Sequence, residues 1–192
     1  MPTQTVDATR SLEEQRREYA SRRGLAMPLA GVIAWTLVGV VGAFAPPIVS
    51  AWTLFIAVGF IAFLGMQISR YTGEDFLAKN RPRNAFDSFF FYAVAMSLMV
   101  YAIAIPFFEE DYTSLPLSVG ILSGLMWLPL SWIVQHWAGA AHAIVRTVLV
   151  VAVWYAFPHA RFVAVPAAIV ATYLITIAIF ERRWRQQQGA RS

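Results

Sequence analysis

The sequence predicts an all-α polytopic membrane protein, a bundle of six transmembrane helices with both termini in the cytoplasm. Three observations carry that prediction. Of the 192 residues, 58% are hydrophobic and only 14% charged, whereas a soluble domain holds about a quarter charged residues. The excess apolar surface has too little interior to hide in, so part of it must face lipid. Six stretches approach the ~20 apolar residues that a helix needs to cross a hydrocarbon core. Finally, thirteen of the fifteen basic residues fall on one side once six crossings are drawn, as expected when short cytoplasmic loops retain positive charge.

Residues 1–24 are polar and form a cytoplasmic tail. They have no apolar stretch close behind a short basic start, which argues against a cleaved signal peptide. Within them SLEEQRREYASRR, 11–23, opens with Ser11 followed by Glu14, the spacing of a capping box. A short helix, solvated or lying at the interface, is expected there. The transmembrane domain then occupies 25–180. Its first span, 25–44, is closed by Pro46-Pro47, and the second covers 48–68. A loop at 69–88 follows, in which EDFLAK is expected to form one helical turn and Arg81-Pro82-Arg83 cannot continue a regular helix. The third span is 89–108, the fourth 117–134, the fifth 138–157 and the sixth 162–180, stopped by ERRWR and followed by a basic tail, 181–192. Only Gln135-His136 separates the fourth from the fifth.

The basic residues group as five in the amino-terminal tail, four in the loop from Arg70 to Arg83 and four in the carboxy-terminal tail. Arg161 alone falls outside, and Arg146 lies within a span. Nucleic acid is excluded as a partner, because topology already explains a net charge of +4 spread over three segments. The partners expected are the bilayer itself and anionic headgroups at the basic segments, each cation near the surface contributing about 1 kcal/mol. A homo-oligomer is compatible with the pattern. A bacterial cytoplasmic membrane is the expected location.

The catalytic inventory is thin. Without cysteine there is no disulfide, thiol nucleophile or thiolate metal site. No H-E-x-x-H, nucleophile elbow or phosphate loop occurs. A metal held by His136 and His142 would lack a third ligand, so no metal or cofactor is expected. No Asp or Glu lies in any span, which counts against coupled transport through an intramembrane carboxylate and against a paired-carboxylate enzyme.

What remains is WAGAAHAIVRTVLVVAVW at 137–154. Its His142 and Arg146 are four apart and share one helix face. At 1.5 Å per residue Arg146 lies ~9 Å below the start of the span. Two readings stand side by side. Arg146 either snorkels to the interface, or faces the bundle interior, where it would neutralise an anion or pair with Asp87 or Gln67. Gln135 and His136 complete the candidate cavity or anion-binding set. Pro129 should kink the fourth span, being unable to donate to the Leu125 carbonyl. Gly120 and Gly124 form a small-x3-small packing pair. The deep aromatics Trp35, Trp127 and Tyr173 need polar partners within the bundle.

Several stretches resemble a family of small multi-span bacterial membrane proteins known as a domain of unknown function. They are AGVIAWTLVGVVG at 30–42, GMQISR at 65–70, FLAKNRP at 76–82, LPLSW at 128–132 and VPAAIVATYLITIAIF at 165–180. The resemblance implies a multi-span fold and brings no activity and no functional residue. The leading functional reading is a non-enzymatic small transporter or channel with a cytoplasm-facing polar cavity near Pro129, His142 and Arg146. Alternatives are an accessory subunit, expected to turn Gly120 and Gly124 outward against a partner, and a lipid-acting enzyme, expected to cluster polar side chains at one interface.

Overall fold

A computed structural model describes residues 10–76, 82 and 84–189. The first nine residues, Lys79, Arg81, Arg83, Arg191 and most of FLAKNRP lie outside the described residues, as does part of the expected EDFLAK turn.

The described chain is helical without strands. A short α1, Leu12–Ala20, begins at Ser11, whose hydroxyl accepts from the Glu14 N–H while the Glu14 carboxylate accepts from the Ser11 N–H. Four long, apolar elements follow the expected spans: α2 (Ala26–Phe44), α5 (Asp87–Met99) running into α6 (Tyr101–Glu110), α9 (Ala138–Ala156) and α10 (Arg161–Gly189). A fifth, 112–134, holds a 3₁₀ turn (Tyr112–Ser114), α7 (Leu115–Leu122) and α8 (Trp127–Val134). These five are long and apolar enough to cross a membrane, and α3 (Pro47–Gly59) with α4 (Ile61–Thr72) makes a sixth when the pair is taken as one span. Their outward faces are apolar, with Ile33, Leu37, Val40, Ile144, Val148 and Ile175 all more than 48% exposed. Exposure of that extent suits lipid and not water. The chain is an integral membrane protein by this measure.

One expectation is revised, the kink at Pro129, and two spans carry further detail. The second span is not straight: α3 and α4 meet at 47°, at Gly59-Phe60. The helix of the sixth span runs on through ERRWR to Gly189, with Arg23 and Arg185 both holding Glu181. In the fourth span the helix breaks at 123–126, a turn before Pro129. Gly124, Leu125 and Trp127 donate three residues back there rather than four. The helix restarts at Trp127, so Pro129 falls in the first turn of α8, where a missing N–H costs little.

The spine of the bundle is α2 against α10, antiparallel. A Cβ on Gly31 would meet Tyr173 Cζ at 2.5 Å, one on Gly39 would meet Pro166 Cβ at 3.3 Å, and one on Gly42 would meet the Phe162 carbonyl oxygen. Glycine at these positions lets the helices approach closely, which matters where lipid removes the hydrophobic drive and dispersion must hold helices together. In contrast, only Ala93 of α5 and Ala104 of α6 are buried, so this arm packs loosely on the body.

The two ends of the bundle differ in chemistry. At one, Arg22 pairs with Asp87, Arg23 with Glu181 at 2.7 Å, and Asn84 donates to the Gln15 carbonyl at 2.7 Å. Glu74, just past α4, accepts from the Leu25 and Ala26 N–H groups at 2.8 and 3.0 Å and caps α2 from across the fold. At the other end Arg161 lies over the Trp154 ring at 3.6 Å and reaches Asp111 at 3.5 Å.

Candidate functional site

Arg146 is fully buried, which overturns the snorkelling alternative. Its partners come from the helix break and from α10. Nε donates to the Gly120 carbonyl at 2.7 Å, Nη2 to Ser123 Oγ at 3.0 Å and Nη1 to the Tyr173 hydroxyl at 3.0 Å. The break explains the first of these. With Gly124 N–H turned to the Ile121 carbonyl, the Gly120 carbonyl lacks its helical donor, and a buried carbonyl needs one. Gly124 is buried beside the arginine, and a Cβ there would stand 3.0 Å from Arg146 Cδ and Nε. Trp35 and Tyr173 turn ring faces to the guanidinium at 5.6 and 5.2 Å.

Neither expected partner reaches Arg146. Asp87 is held by Arg22 at the end of the bundle, and Gln67 on α4 makes no hydrogen bond to Arg146. Among the described residues no carboxylate pairs with this arginine. Its charge is balanced by a carbonyl, two hydroxyls and two rings, and two of its five N–H groups stay uncommitted.

His142, one turn earlier on α9, is buried and stacked on Trp127 with ring centroids 4.3 Å apart. Its Nδ1 lies 2.8 Å from Thr176 Oγ1. The Thr176 hydroxyl donates to the Thr172 carbonyl at 2.9 Å, so the Nδ1 proton bonds to Thr176 and Nε2 is left without a partner. The remaining candidates do not join this cluster. Gln135 is exposed at the end of α8 in the left-handed conformation, φ 49°. His136 Nδ1 accepts from the Ala138 N–H at 3.2 Å; burial and then nearby Arg183 hold its pKa below the usual histidine value. Pro129 is exposed. Gly120 and Gly124 both face inward, Gly120 toward Ile169 and Val150.

Pro129, which is exposed, does not share a wall with buried His142 and Arg146, whose nearest neighbours are protein groups. Two apolar cavities lie between the α5–α6 arm and the body. One, ≈ 110 Å³, has walls including Met27, Phe89, Phe90, Met126, Trp127 and Phe180, with Arg22, Arg23, Glu74 and Arg183 at its end. The other, ≈ 70 Å³, is lined by Tyr101, Ser123, Val119 and Leu98. Met27, Ile61, Met126 and Tyr173 belong to both. Through Ser123 and Tyr173 the inner cavity abuts the Arg146 cluster, and the Tyr101 hydroxyl beside it is buried without a partner.

Sequence reasoning found Arg146, His142 and Tyr173 but missed Ser123, Thr176 and Glu74. A signal existed for one of them. Thr172 and Thr176 repeat on α10 the four-residue spacing of His142 and Arg146 on α9, so two apolar helices each carry a polar pair on one face. No cluster of three or more His, Cys, Asp or Glu able to hold a metal occurs among the described residues. Residues 12–183 match one protein family, described as a family of unknown function. No curated protein and no solved structure matches the chain.

Proposed function

The chain belongs to that family, DUF7010, which supplies no activity, and we propose from its geometry that it is a six-span carrier for a small amphipathic acid. The acid enters from the cytoplasmic end and seats its apolar part in the paired cavities, with its anionic group toward Ser123, Tyr173 and Arg146. One observation carries this reading: a fully buried arginine without a carboxylate holds two hydroxyl partners that also wall an apolar cavity. A cavity of 150 Å³ binds benzene, so neither cavity alone, at ≈ 110 and ≈ 70 Å³, but only the two joined would seat an aromatic or short aliphatic group.

The supporting features are those of a transport path. Discontinuous helices form substrate sites near the midplane in many carriers, and α7–α8 breaks beside Arg146. The loosely packed α5–α6 arm is the wall best able to move. Six crossings are supported by the contacts of Arg23 with Glu181 and of Arg183 with the Ala20 carbonyl, which bring the two ends of the described chain to one face. The accessory-subunit reading loses its signature, because Gly120 and Gly124 face inward.

Thermal shift of the purified protein with benzoate and octanoate, against benzyl alcohol as a neutral probe, tests the binding step. Benzoate or octanoate should stabilise the wild type, benzyl alcohol should do so less, and Met126→Trp, which puts a larger side chain at a wall the two cavities share, should abolish the shift. Equal shifts for acid and alcohol, or a shift that survives Met126→Trp, would sink the assignment. Uptake of labelled benzoate into proteoliposomes then separates a carrier from a static binder.

A further inference from the structure

A second ligand site lies outside these cavities, where α1 docks against the end of α8. The last carbonyls of α8 lack helical donors, and two arginines supply them. Arg16 Nε donates to the Ile133 carbonyl at 3.3 Å and Nη2 to that of Trp132 at 3.4 Å, while Arg183 Nη2 bonds the Val134 and Ala20 carbonyls at 3.2 and 2.9 Å. These bonds fix both guanidinium groups in place. Between α1 and α10 they border a cleft of ≈ 520 Å³ whose other polar walls are Arg17, Ser21, Gln135 and Gln187. No acid lines it. Glu13 reaches Arg16 and Arg17 from outside the cleft, and Arg183 pairs with no carboxylate among the described residues. Nε and Nη1 of Arg183 make no hydrogen bond among the described residues.

Arg16 also borders an adjoining cleft of ≈ 470 Å³ with Ser131, Gln135, His136 and two exposed tryptophans, Trp132 and Trp137, 66% and 64% exposed. The guanidinium of Arg16 lies 4.8 Å from the Trp132 ring. Exposed tryptophan marks headgroup depth in a bilayer, so fixed cations and glutamine donors meet the membrane surface here. We propose that this cleft binds the phosphate of an anionic phospholipid headgroup, with Arg16, Arg17 and Arg183 supplying charge-assisted hydrogen bonds and Gln187 a neutral one. The lipid is favoured over a soluble phosphate ester because the cleft continues into the tryptophan-lined one, where glycerol and the upper acyl chains would lie.

The test compares retention of phosphatidylglycerol with that of phosphatidylcholine by the detergent-solubilised full chain, read by native mass spectrometry. Gln187→Glu and Arg17→Gln are the working variants, since neither removes a cap from α8, and Arg182→Gln, at an exposed position outside the cleft, is the control. Wild type and control should retain phosphatidylglycerol at least fivefold over phosphatidylcholine, and Gln187→Glu should bring that ratio close to one. The proposal is overturned if the wild type shows no preference, if Gln187→Glu keeps it, or if Arg182→Gln loses as much as the cleft variants. Stabilisation by inorganic phosphate without lipid retention would overturn the lipid as the source. The carrier reading is untouched by any of these outcomes, since Gln187 and Arg17 wall neither apolar cavity.

Discussion

At Arg146 the shape of the guanidinium matters as much as its charge. Three donors reach three acceptors in different directions, which a lysine ammonium on a flexible stem cannot reproduce. Arg146→Lys keeps a buried cation but strands at least one acceptor, and should cost about 3 kcal/mol. Arg146→Met removes the charge together with its desolvation cost and should cost less, because apolar replacement of buried ionic groups is often close to neutral. Denaturation of both variants in one detergent checks the order; Met falling below Lys would refute it. Glu74 gives a second residue-scale prediction. Burial raises its carboxyl above the ordinary 4.5, against the bonds from Leu25, Thr72 and Ala26 and the field of Arg22. A raised folded value means that stability from protonation is complete below the unfolded pKa and is lost as pH rises through the folded one. Glu74→Gln keeps an acceptor without charge, so it should match or exceed the wild type at pH 7 and lack the wild type's gain on acidification. Glu74→Ala bares two N–H groups of α2 and should cost about 1–2 kcal/mol. Melting temperatures from pH 4.5 to 8 separate the three.

Among the helices, the instructive one is the broken α7–α8 pair. Pro129 was a sound sequence signal for irregularity, but it sits in the first turn of α8 and the break lies before it. A proline marks where a helix can begin as well as where one bends, and nothing local shows that a carbonyl one turn upstream will be taken by an arginine 26 residues away. Gly124 and Pro129 should therefore respond in opposite ways to alanine. Pro129→Ala should change stability by less than about 1 kcal/mol, since the N–H it restores has no helical acceptor. Gly124→Ala forces a methyl against Arg146 Cδ and the Ile121 carbonyl, both at 3.0 Å, and should cost about 1–3 kcal/mol. The same limit on local signals hid the 47° bend between α3 and α4. Gly59 there is one glycine in an apolar run, and a Cβ on it would touch nothing within 4 Å. Long apolar runs thus gave the helices, while breaks set by tertiary hydrogen bonds did not show in the sequence.

For the whole molecule, hydropathy and charge agree on topology by independent routes. Five helices, or six with α3–α4 taken as one span, are long and apolar enough to cross, and thirteen basic residues fall on one side only if the number is even. The chain folds back on itself accordingly: the segment at 15–23, Glu74, Asn84 and Asp87, and the far end of α10 meet at one end, while Asp111, Trp154 and Arg161 meet at the other. Which end faces the cytoplasm is not set by packing, because the fold is the same either way up. It is set by where positive charge is retained during insertion, so it rests on arginine placement alone. The absence of cysteine makes the test clean. A single cysteine at Gly189, the last described residue of α10, should be shielded from a membrane-impermeant maleimide in intact bacterial cells and labelled only after permeabilisation. One at exposed His159, in the turn before α10, should be labelled without it. Labelling of both positions in intact cells would mean that α10 does not cross the membrane between them. Labelling at Gly189 with protection at His159 would mean either that the bundle is inserted the other way up or that α3–α4 re-enters without crossing and the spans number five. Both would remove the cytoplasmic entrance, with the two chain ends on one inner face, on which the carrier reading depends.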